Sequence, residues 1–486
     1  MGDNELLKSK NKLPIRWKTI SLENLVLKIF AGGDKPDEVS NEKTEKFKYP
    51  IFANGIKNKG LYGYTNIYRV DKECVTISAR GTIGYTEVRD EKFVPIVRLI
   101  VIMPTKYSLS KYLKYFFENT IVTKSGSSIP QLTVPMIKTI PIQLPPLNEQ
   151  KRIVTKIEKL CSNLDNSDKY LTHLEKQLKR YRQSVLKSAF EGELTREWRE
   201  KQTDLESAKE LLEKIKGERL EYIEQEVRDK FKDKTEKWVA DKVKKEAKKF
   251  YNTIKGIENQ TIAPKGWEWT RLNLFTNIIM GQSPASSTYN KNEDGLPFFQ
   301  GSADFTDLHP NIKVWCTLPK KVVEKDYILF SVRAPVGDIN ISSCLSSIGR
   351  GLAGIRGFGG ISNKFLYFLL KNSVELIKLH GRGTTFDAIR SEELKNILIV
   401  LAPLKEQEEI VKQIEKHFSI IDKLEAVVAN SIKESKRLRQ SILKQAFEGK
   451  LVEQDSNDES AEILLEKIAK AKEEYKKEMS KRKKKQ

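Results

Sequence analysis

The sequence predicts an α+β chain: two globular domains of mixed α/β structure separated by two long antiparallel coiled-coil helices, with an internal pseudo-twofold repeat. Three observations predict it. One stretch of sequence occurs twice, a whole domain length apart, as duplicated architectures do. Each copy carries apolar residues at heptad spacing. Each copy is preceded by short β-rich runs broken by Gly and Pro.

The repeat is residue-specific. Leu147, Glu149, Gln150, Ile153, Val154, Ile157, Glu158 and Lys159 return as Leu404, Glu406, Gln407, Ile410, Val411, Ile414, Glu415 and Lys416, an offset of 404 − 147 = 257. The offset holds to the run from Arg182 to Gly192, which returns from Arg439 to Gly449.

The segments follow in order. Residues 1–146 hold β-rich runs, Glu73 to Ser78 and Val94 to Met103, and one helical stretch, Leu109 to Asn119. Pro145-Pro146 then starts a helix, because a first-turn proline lacks only an N–H that would be unpaired there anyway. Residues 147–194 place Ile153, Ile157, Leu160, Leu164, Leu171, Leu174, Leu178, Tyr181 and Val185 on one seam, with a gap at Ser167. Such a helix reaches roughly 60 Å at about 1.5 Å per residue. Residues 195–262 form a charged helical spacer whose run from Ser207 to Ile215 matches Ser460 to Ile468 at an offset of 253.

Residues 263–403 form a diverged second copy of the first domain. Pro264-Lys265-Gly266-Trp267 echoes Pro14-Ile15-Arg16-Trp17, and Pro297-Phe298-Phe299 echoes Pro50-Ile51-Phe52. The Ser331 to Gly337 run echoes Ser78 to Gly84, and Gly383-Thr384-Thr385 echoes Gly126-Ser127-Ser128. The second helix, 404–451, places Ile410, Ile414, Ile421, Leu424, Val428, Leu438 and Ile442 on its seam, with His417, Ser431 and Ser435 as weak points. Each seam finds its most economical partner in the other. Gly192 and Gly449 stop the two helices. Residues 452–486 are a charged helix and a basic tail, Lys481 to Lys485, expected to be solvated.

At 486 residues the chain holds two or more cores. Lys+Arg 87 against Asp+Glu 66 gives +21, of which +9 falls in 1–146 and +4 in 263–403. A basic excess favours a polyanionic partner. Cys74, Cys161, Cys316 and Cys344 are too scattered for a metal site or a disulfide framework, which fits a reducing cytoplasm. The apolar runs are too short to span a bilayer, so no membrane partner is expected.

The P-L-x-E-Q helix starts (Pro146 to Gln150, Pro403 to Gln407) and the paired R-Q-S-[VI]-L-K-x-A-F-E-G helix ends make the chain resemble the DNA specificity subunits of type I restriction–modification systems. The resemblance covers nearly the whole chain. It implies target-recognition domain 1 (1–146), conserved helix 1 (147–194), target-recognition domain 2 (263–403) and conserved helix 2 (404–451). It also implies a non-catalytic subunit, with each domain reading one half of a bipartite duplex DNA site. The helices would set the unread gap and dock two adenine methyltransferase subunits, with restriction/translocase subunits in the full complex. No cofactor is expected in this chain; S-adenosylmethionine, ATP and Mg belong to the partners. The charged segments 195–262 and 456–486 are expected to contact partner subunits.

Side chains that pair with base edges or phosphates, set in Gly/Pro-marked loops, are the candidate contacts. They are Lys35, Asn54, Lys57, Arg80, Ser128 and Gln131 in the first domain. In the second they are Gln282, Ser283, Gln300, Arg333, Arg350, Arg382, Thr384 and Thr385. Arg80 and Arg333 lead because they hold equivalent places in the two copies.

Enzyme readings fare worse. Leu144-Pro145-Pro146-Leu147 lacks the Asn or Asp and the aromatic of an adenine methyltransferase loop, and there is no Walker A lysine loop. The four histidines are dispersed, so no metal site is expected. The rival reading is an architectural coiled-coil protein that binds nucleic acid without sequence preference. It accounts for charge and heptads but not for diverged domains beside preserved helices.

Overall fold

The computed structural model describes residues 13–122, 131–252, 262–380 and 388–483. The chain forms two compact units, residues 1–173 with 428–486, and residues 174–427. The units therefore do not coincide with the linear halves of the sequence. Both boundaries fall inside the long helices, Leu147–Phe190 and Leu404–Phe447, called here frame helices 1 and 2.

Unit 1 is built on an antiparallel sheet in the order Val26–Ala31, Ile100–Pro104, Cys74–Ile77, Thr86–Arg89. Its central strands are buried from Cys74 to Ile77 and from Ile100 to Met103, covered by the helix Ser110–Val122, whose Tyr112, Leu113, Phe116 and Phe117 enter the core. A second sheet pairs Tyr49–Phe52 antiparallel with Leu61–Thr65 and parallel with Val94–Pro95. Lys18–Ser21 pairs with Pro141–Leu144 and brings the two ends of the domain together.

Unit 2 repeats this scheme. Its four-stranded order is Thr276–Met280, Leu352–Gly357, Ile328–Ser331, Ile339–Ile341. Leu296–Phe299 again pairs in parallel, here with Ser346–Ile348, and Glu268–Arg271 closes on Leu398–Leu401. The sequence echo at Ser78 and Ser331 is one turn built twice. Gly84 donates to the Ser78 carbonyl and Gly337 to that of Ser331, both at 3.0 Å, with φ of +88° and +93°. Only glycine enters that region without strain.

The frame helices start on the domain that precedes them and end on the other. Ile153, Val154, Ile157 and Cys161 of frame helix 1 lie in the unit 1 core, beside Ile442, Leu443, Ala446 and Phe447 from the end of frame helix 2. In unit 2 the roles exchange: Ile410, Val411 and Ile414 share a core with Val185, Leu186, Ala189 and Phe190. The terminal glycines sit against the start of that second domain. A Cβ on Gly449 would stand 2.4 Å from Pro14 Cγ, and one on Gly192 would stand 2.6 Å from Pro264 Cγ.

The expected seam is thus corrected in part. Ile153, Ile157, Ile410, Ile414 and Ile442 are buried in the domain cores, and Leu178, Ile421 and Val428 are buried as well. Leu160, Leu164, Leu171 and Leu174 are only half-buried. Leu424, Leu438 and Tyr181 are 44%, 52% and 47% exposed, although Tyr181 Oη still meets His417 Nδ1 of frame helix 2 at 3.2 Å. The buried row on frame helix 2 is Ile414, Ile421, Val428, Ser435 and Ile442, one residue per heptad. The second row of a full coiled coil is missing because the helix ends turn their apolar faces to the domains.

Polar contacts supply the rest of the pairing. In unit 2 Arg182 reaches Asp422 at 2.5 Å and Glu425 at 3.1 Å, and its guanidinium lies 4.5 Å over the Phe418 ring. In unit 1 Arg439 pairs with Asp165. The offset of 257 maps Arg182 onto Arg439 and Asp165 onto Asp422, so these ion pairs are pseudo-twofold mates.

The charged segments do not stand free. The helix Ala208–Lys230 buries Leu211, Leu212 and Ile215 in the unit 2 core, and Ala461–Lys483 buries Ala461, Leu464 and Ile468 in the unit 1 core. These are called here clasp helices 1 and 2. Ala208 donates to the Gly266 carbonyl at 2.8 Å, and Ala461 to that of Arg16 at 3.0 Å. Their apolar faces belong to this chain's own domains. The basic run Lys481 to Lys483 is helical rather than a loose tail. No helix among the described residues is long and apolar enough to cross a membrane.

Candidate nucleic-acid interface

Each frame helix is anchored by the Glu-Gln of its first turn. Glu149 and Glu406 are 1% and 0% exposed. Trp17 Nε1 donates to Glu149 at 3.0 Å, and Trp267 Nε1 to Glu406 at 2.8 Å. The remaining partners differ. Gln454 Nε2 donates to Glu149 at 2.6 Å, whereas Glu406 accepts from Thr195 Oγ1 at 2.7 Å and from Arg199 Nε at 2.9 Å. Burial pushes the Glu149 carboxyl above its ordinary range, against the opposing pull of its hydrogen bonds from Trp17 and Gln454. Gln150 accepts from the Leu109 amide at 3.1 Å and donates to Pro145 O at 3.1 Å, tying the helix start to the sheet domain.

That anchor fixes the domain whose loops carry the candidate contacts. In unit 1 four loops converge. Asn54 Oδ1 accepts from the Ala79 amide at 2.8 Å, and its Nδ2 donates to the Val97 carbonyl at 2.7 Å. Leu132 donates to the Ala79 carbonyl at 3.0 Å, which brings in Gln131. Arg80 Nε and Nη2 donate to Gln131 Oε1 at 3.0 and 2.7 Å. Asn54, Arg80 and Gln131 therefore form one cluster. Both ends of the Asn54 amide are occupied, so it clamps loops together instead of standing free.

Lys35 is exposed, 5.6 Å over the Tyr62 ring. Lys57 is exposed in the short turn Lys57–Gly60, where Asn58 and Lys59 take left-handed backbone. Ser128 lies outside the described residues. Sequence reasoning missed Arg98, which is exposed beside the Asn54 clamp with φ of +60°. Its amide donates to Gly32 O at 3.0 Å. A left-handed arginine has no local sequence signal, since tertiary hydrogen bonds impose it.

Unit 2 builds the same loop cluster from other side chains. Gln300 Nε2 donates to Ser283 Oγ at 2.9 Å, and the Arg350 amide donates to the same Oγ at 3.2 Å. Gln282 precedes them and is exposed, its amide donating to Ile348 O at 3.0 Å. Gln282, Ser283, Gln300 and Arg350 are thus brought together. Arg333 is exposed and its backbone bridges to Ala388, with Ile389 donating to Val332 O as Leu132 does to Ala79 O. By that register Ala388 takes the place of Gln131, so Arg333 lacks the partner that engages Arg80. Arg382, Thr384 and Thr385 lie outside the described residues. No group of three His, Cys, Asp or Glu side chains suited to a metal ion occurs among the described residues.

The type I restriction modification DNA specificity domain family matches the chain twice, over residues 14–179 and 264–434, more than half of its length. The chain belongs to that family of type I restriction–modification specificity subunits. It is similar to the putative type I restriction enzyme MjaX specificity subunit of Methanocaldococcus jannaschii, 29% identical over 76% of this chain and 75% of that one. It is also similar to the EcoDI specificity subunit of Escherichia coli, 25% identical over 95% of this chain and 96% of that one. A solved structure described as showing complex assembly and conformational transition of the type I R-M system matches at 25% identity. It covers 90% of this chain and all of that one, with a TM-score of 0.64. The crystal structure of the HsdS subunit from Thermoanaerobacter tengcongensis shares the fold, with a TM-score of 0.52 over 91% of this chain. As a specificity subunit, the chain is a sequence-specific DNA recognition component.

Proposed function

We propose that each domain of this specificity subunit reads one half of a bipartite DNA site through its loop cluster. The carrying observation is one scaffold built twice with different polar groups at matching places. Gln300 and Arg350 stand in unit 2 where unit 1 has Ala53 and Val97, and Gln131 stands in unit 1 where unit 2 has Ala388. Arg80, Gln131, Gln282, Gln300, Arg333 and Arg350 supply base-pairing donors and acceptors. Lys35, Lys57 and Arg98 serve phosphates. Asn54 and Ser283 position the others. Subunits that only bent DNA would have no use for two chemically different readers on one frame.

The chain is read as non-catalytic. It works with two adenine methyltransferase subunits, which hold S-adenosylmethionine, and with restriction/translocase subunits that use ATP and Mg. On unit 2 the exposed Ile420, Leu424 and Val427 of frame helix 2 offer an apolar stripe for a methyltransferase helix. The frame helices fix the unread gap.

The experiment is co-expression with the neighbouring adenine methyltransferase and genome-wide mapping of methylated adenine. The expected result is a bipartite motif with a fixed gap that disappears when this chain is omitted. Absence of any motif would overturn the reading. Deleting one heptad from a frame helix should change the gap or abolish assembly, and an unchanged gap would sink the spacing role.

A further inference from the structure

The clasp helices are equivalent in sequence and docking, yet only one is covered. In unit 2 the helix Glu236–Asn252, called here the cover helix, packs along clasp helix 1. Val227 and Val239 are buried there, and the Phe231 and Trp238 rings meet at 4.8 Å. Phe250 of the cover helix lies 5.2 Å from the Arg219 guanidinium, which donates to Thr276 O at 2.7 Å. Among the described residues no comparable helix packs along clasp helix 2.

The outward residues have changed to match. The offset of 253 maps Leu220, Ile223 and Val227 of clasp helix 1 onto Glu473, Lys476 and Ser480, all exposed. It maps Arg219 onto Lys472, which donates to the Glu23 carbonyl. Lys138 holds the Glu23 carboxylate at 2.7 Å, and the Lys72 ammonium lies 5.1 Å over the Tyr475 ring. Lys138, Lys472 and Lys476 thus gather around Glu23, and Lys72 joins them over Tyr475. The face lies by the Val26 end of the strand Val26–Ala31, while the reading loop from Gly32 leaves the other end. DNA gripped by that loop is therefore a poor occupant.

We propose that this lysine face of unit 1 docks an acidic amphipathic helix carried by another subunit of the type I complex, in the place that the cover helix takes in unit 2. The cover helix shows that the scaffold accepts a helix there. The three apolar residues have given way to Glu473, Lys476 and Ser480, so the occupant is held by charge, and the gathering of Lys72, Lys138, Lys472 and Lys476 makes that charge acidic. The proposal rests on the reading of the chain as a specificity subunit.

The test is native mass spectrometry of the chain co-expressed with its methyltransferase and restriction subunits, at two salt concentrations. Lys472→Glu/Lys476→Glu is expected to raise the apparent Kd for one of those subunits at least tenfold, and Lys472→Gln/Lys476→Gln by less. Lys244→Glu/Lys245→Glu on the cover helix should leave both subunits bound. Because Lys472 also bonds the Glu23 carbonyl, Lys476→Glu alone, with an exposed side chain, carries the same expectation if the double variant melts early. Full retention of both subunits overturns the proposal. So does a loss confined to DNA affinity in an intact complex, which would assign the lysines to phosphates. Methylation of a bipartite motif by the wild-type preparation tests the underlying reading separately.

Discussion

Units 1 and 2 share a sheet order, a helix anchor and a clasp, but they stabilise these parts by different chemistry. Unit 2 holds its anchor carboxylate with a cation, Arg199, while unit 1 uses the amide of Gln454. Unit 2 packs Leu178 in its seam, whereas the equivalent place in unit 1 is Ser435, buried with an unpartnered Oγ beside a pocket of about 570 Å³. Leu164, Leu171 and Leu438 also line that pocket. Duplication therefore preserved geometry, and each copy then reached its stability along its own route.

The largest test removes clasp helix 2. Truncation after Asp458 uncovers the core that Ala461, Leu464 and Ile468 help to bury. Two large apolar side chains at about 1.5–3 kcal/mol each give a loss of about 3–6 kcal/mol. Hydrogen exchange should rise in unit 1 and stay unchanged in unit 2; equal loss in both would break the comparison.

The anchors come next. Glu406→Gln leaves the partly buried Arg199 without its counter-charge, and such a break costs up to about 3–5 kcal/mol. Glu149→Gln keeps its Trp17 bond through the amide oxygen, and with the Gln454 amide turned to accept from the new N–H it should change stability by about 1 kcal/mol or less in denaturant melts. The pH dependence has a definite sign. Burial holds the folded Glu149 carboxyl above its unfolded value. Its contribution is present below the unfolded value and is lost as pH rises through the folded one. The balance between wild type and Glu149→Gln should therefore move toward Gln from acid to neutral pH.

The seam gives a smaller contrast. Leu178→Ser should cost about 2–4 kcal/mol by the usual cavity penalty. Ser435→Leu should stabilise by about 1 kcal/mol, since it adds apolar contact at the edge of the pocket and removes an unpaired hydroxyl. Thermal melting reads both, and a destabilised Ser435→Leu would show that the pocket is structural. The readers give a contrast in specificity, with no change in stability expected. Arg333→Ala should relax one base position at about 1–3 kcal/mol of discrimination. Arg80→Ala should do the same in the other half-site, with Gln131 freed. Methylome motifs that stay unchanged would remove both arginines from the readers.

The two long helices were legible because heptad spacing and paired motifs need no tertiary knowledge. The twin turns at Ser78 and Ser331 were legible too, since a glycine with positive φ marks each. The seam was legible only where helix faces helix. Leu424 and Leu438 fit the heptad but are exposed, because periodicity identifies a face without saying what covers it. Asn54 had the side chain of a reader and turned out to be a clamp, which only its bonds to Ala79 and Val97 reveal. Arg98 had no signal at all.

The sequence by itself determined the duplication, the long helices with their ends and the family. These follow from local pattern, where each residue type acts through its own backbone preference. Tertiary structure alone decided that clasp helix 1 closes unit 2 and clasp helix 2 closes unit 1. It also decided that Glu149 and Glu406 hold equivalent places with different partners. Burial and hydrogen bonding join residues hundreds of positions apart, as Trp17 joins Glu149 and Arg16 joins Ala461. Nothing in either residue's neighbourhood along the chain encodes that meeting.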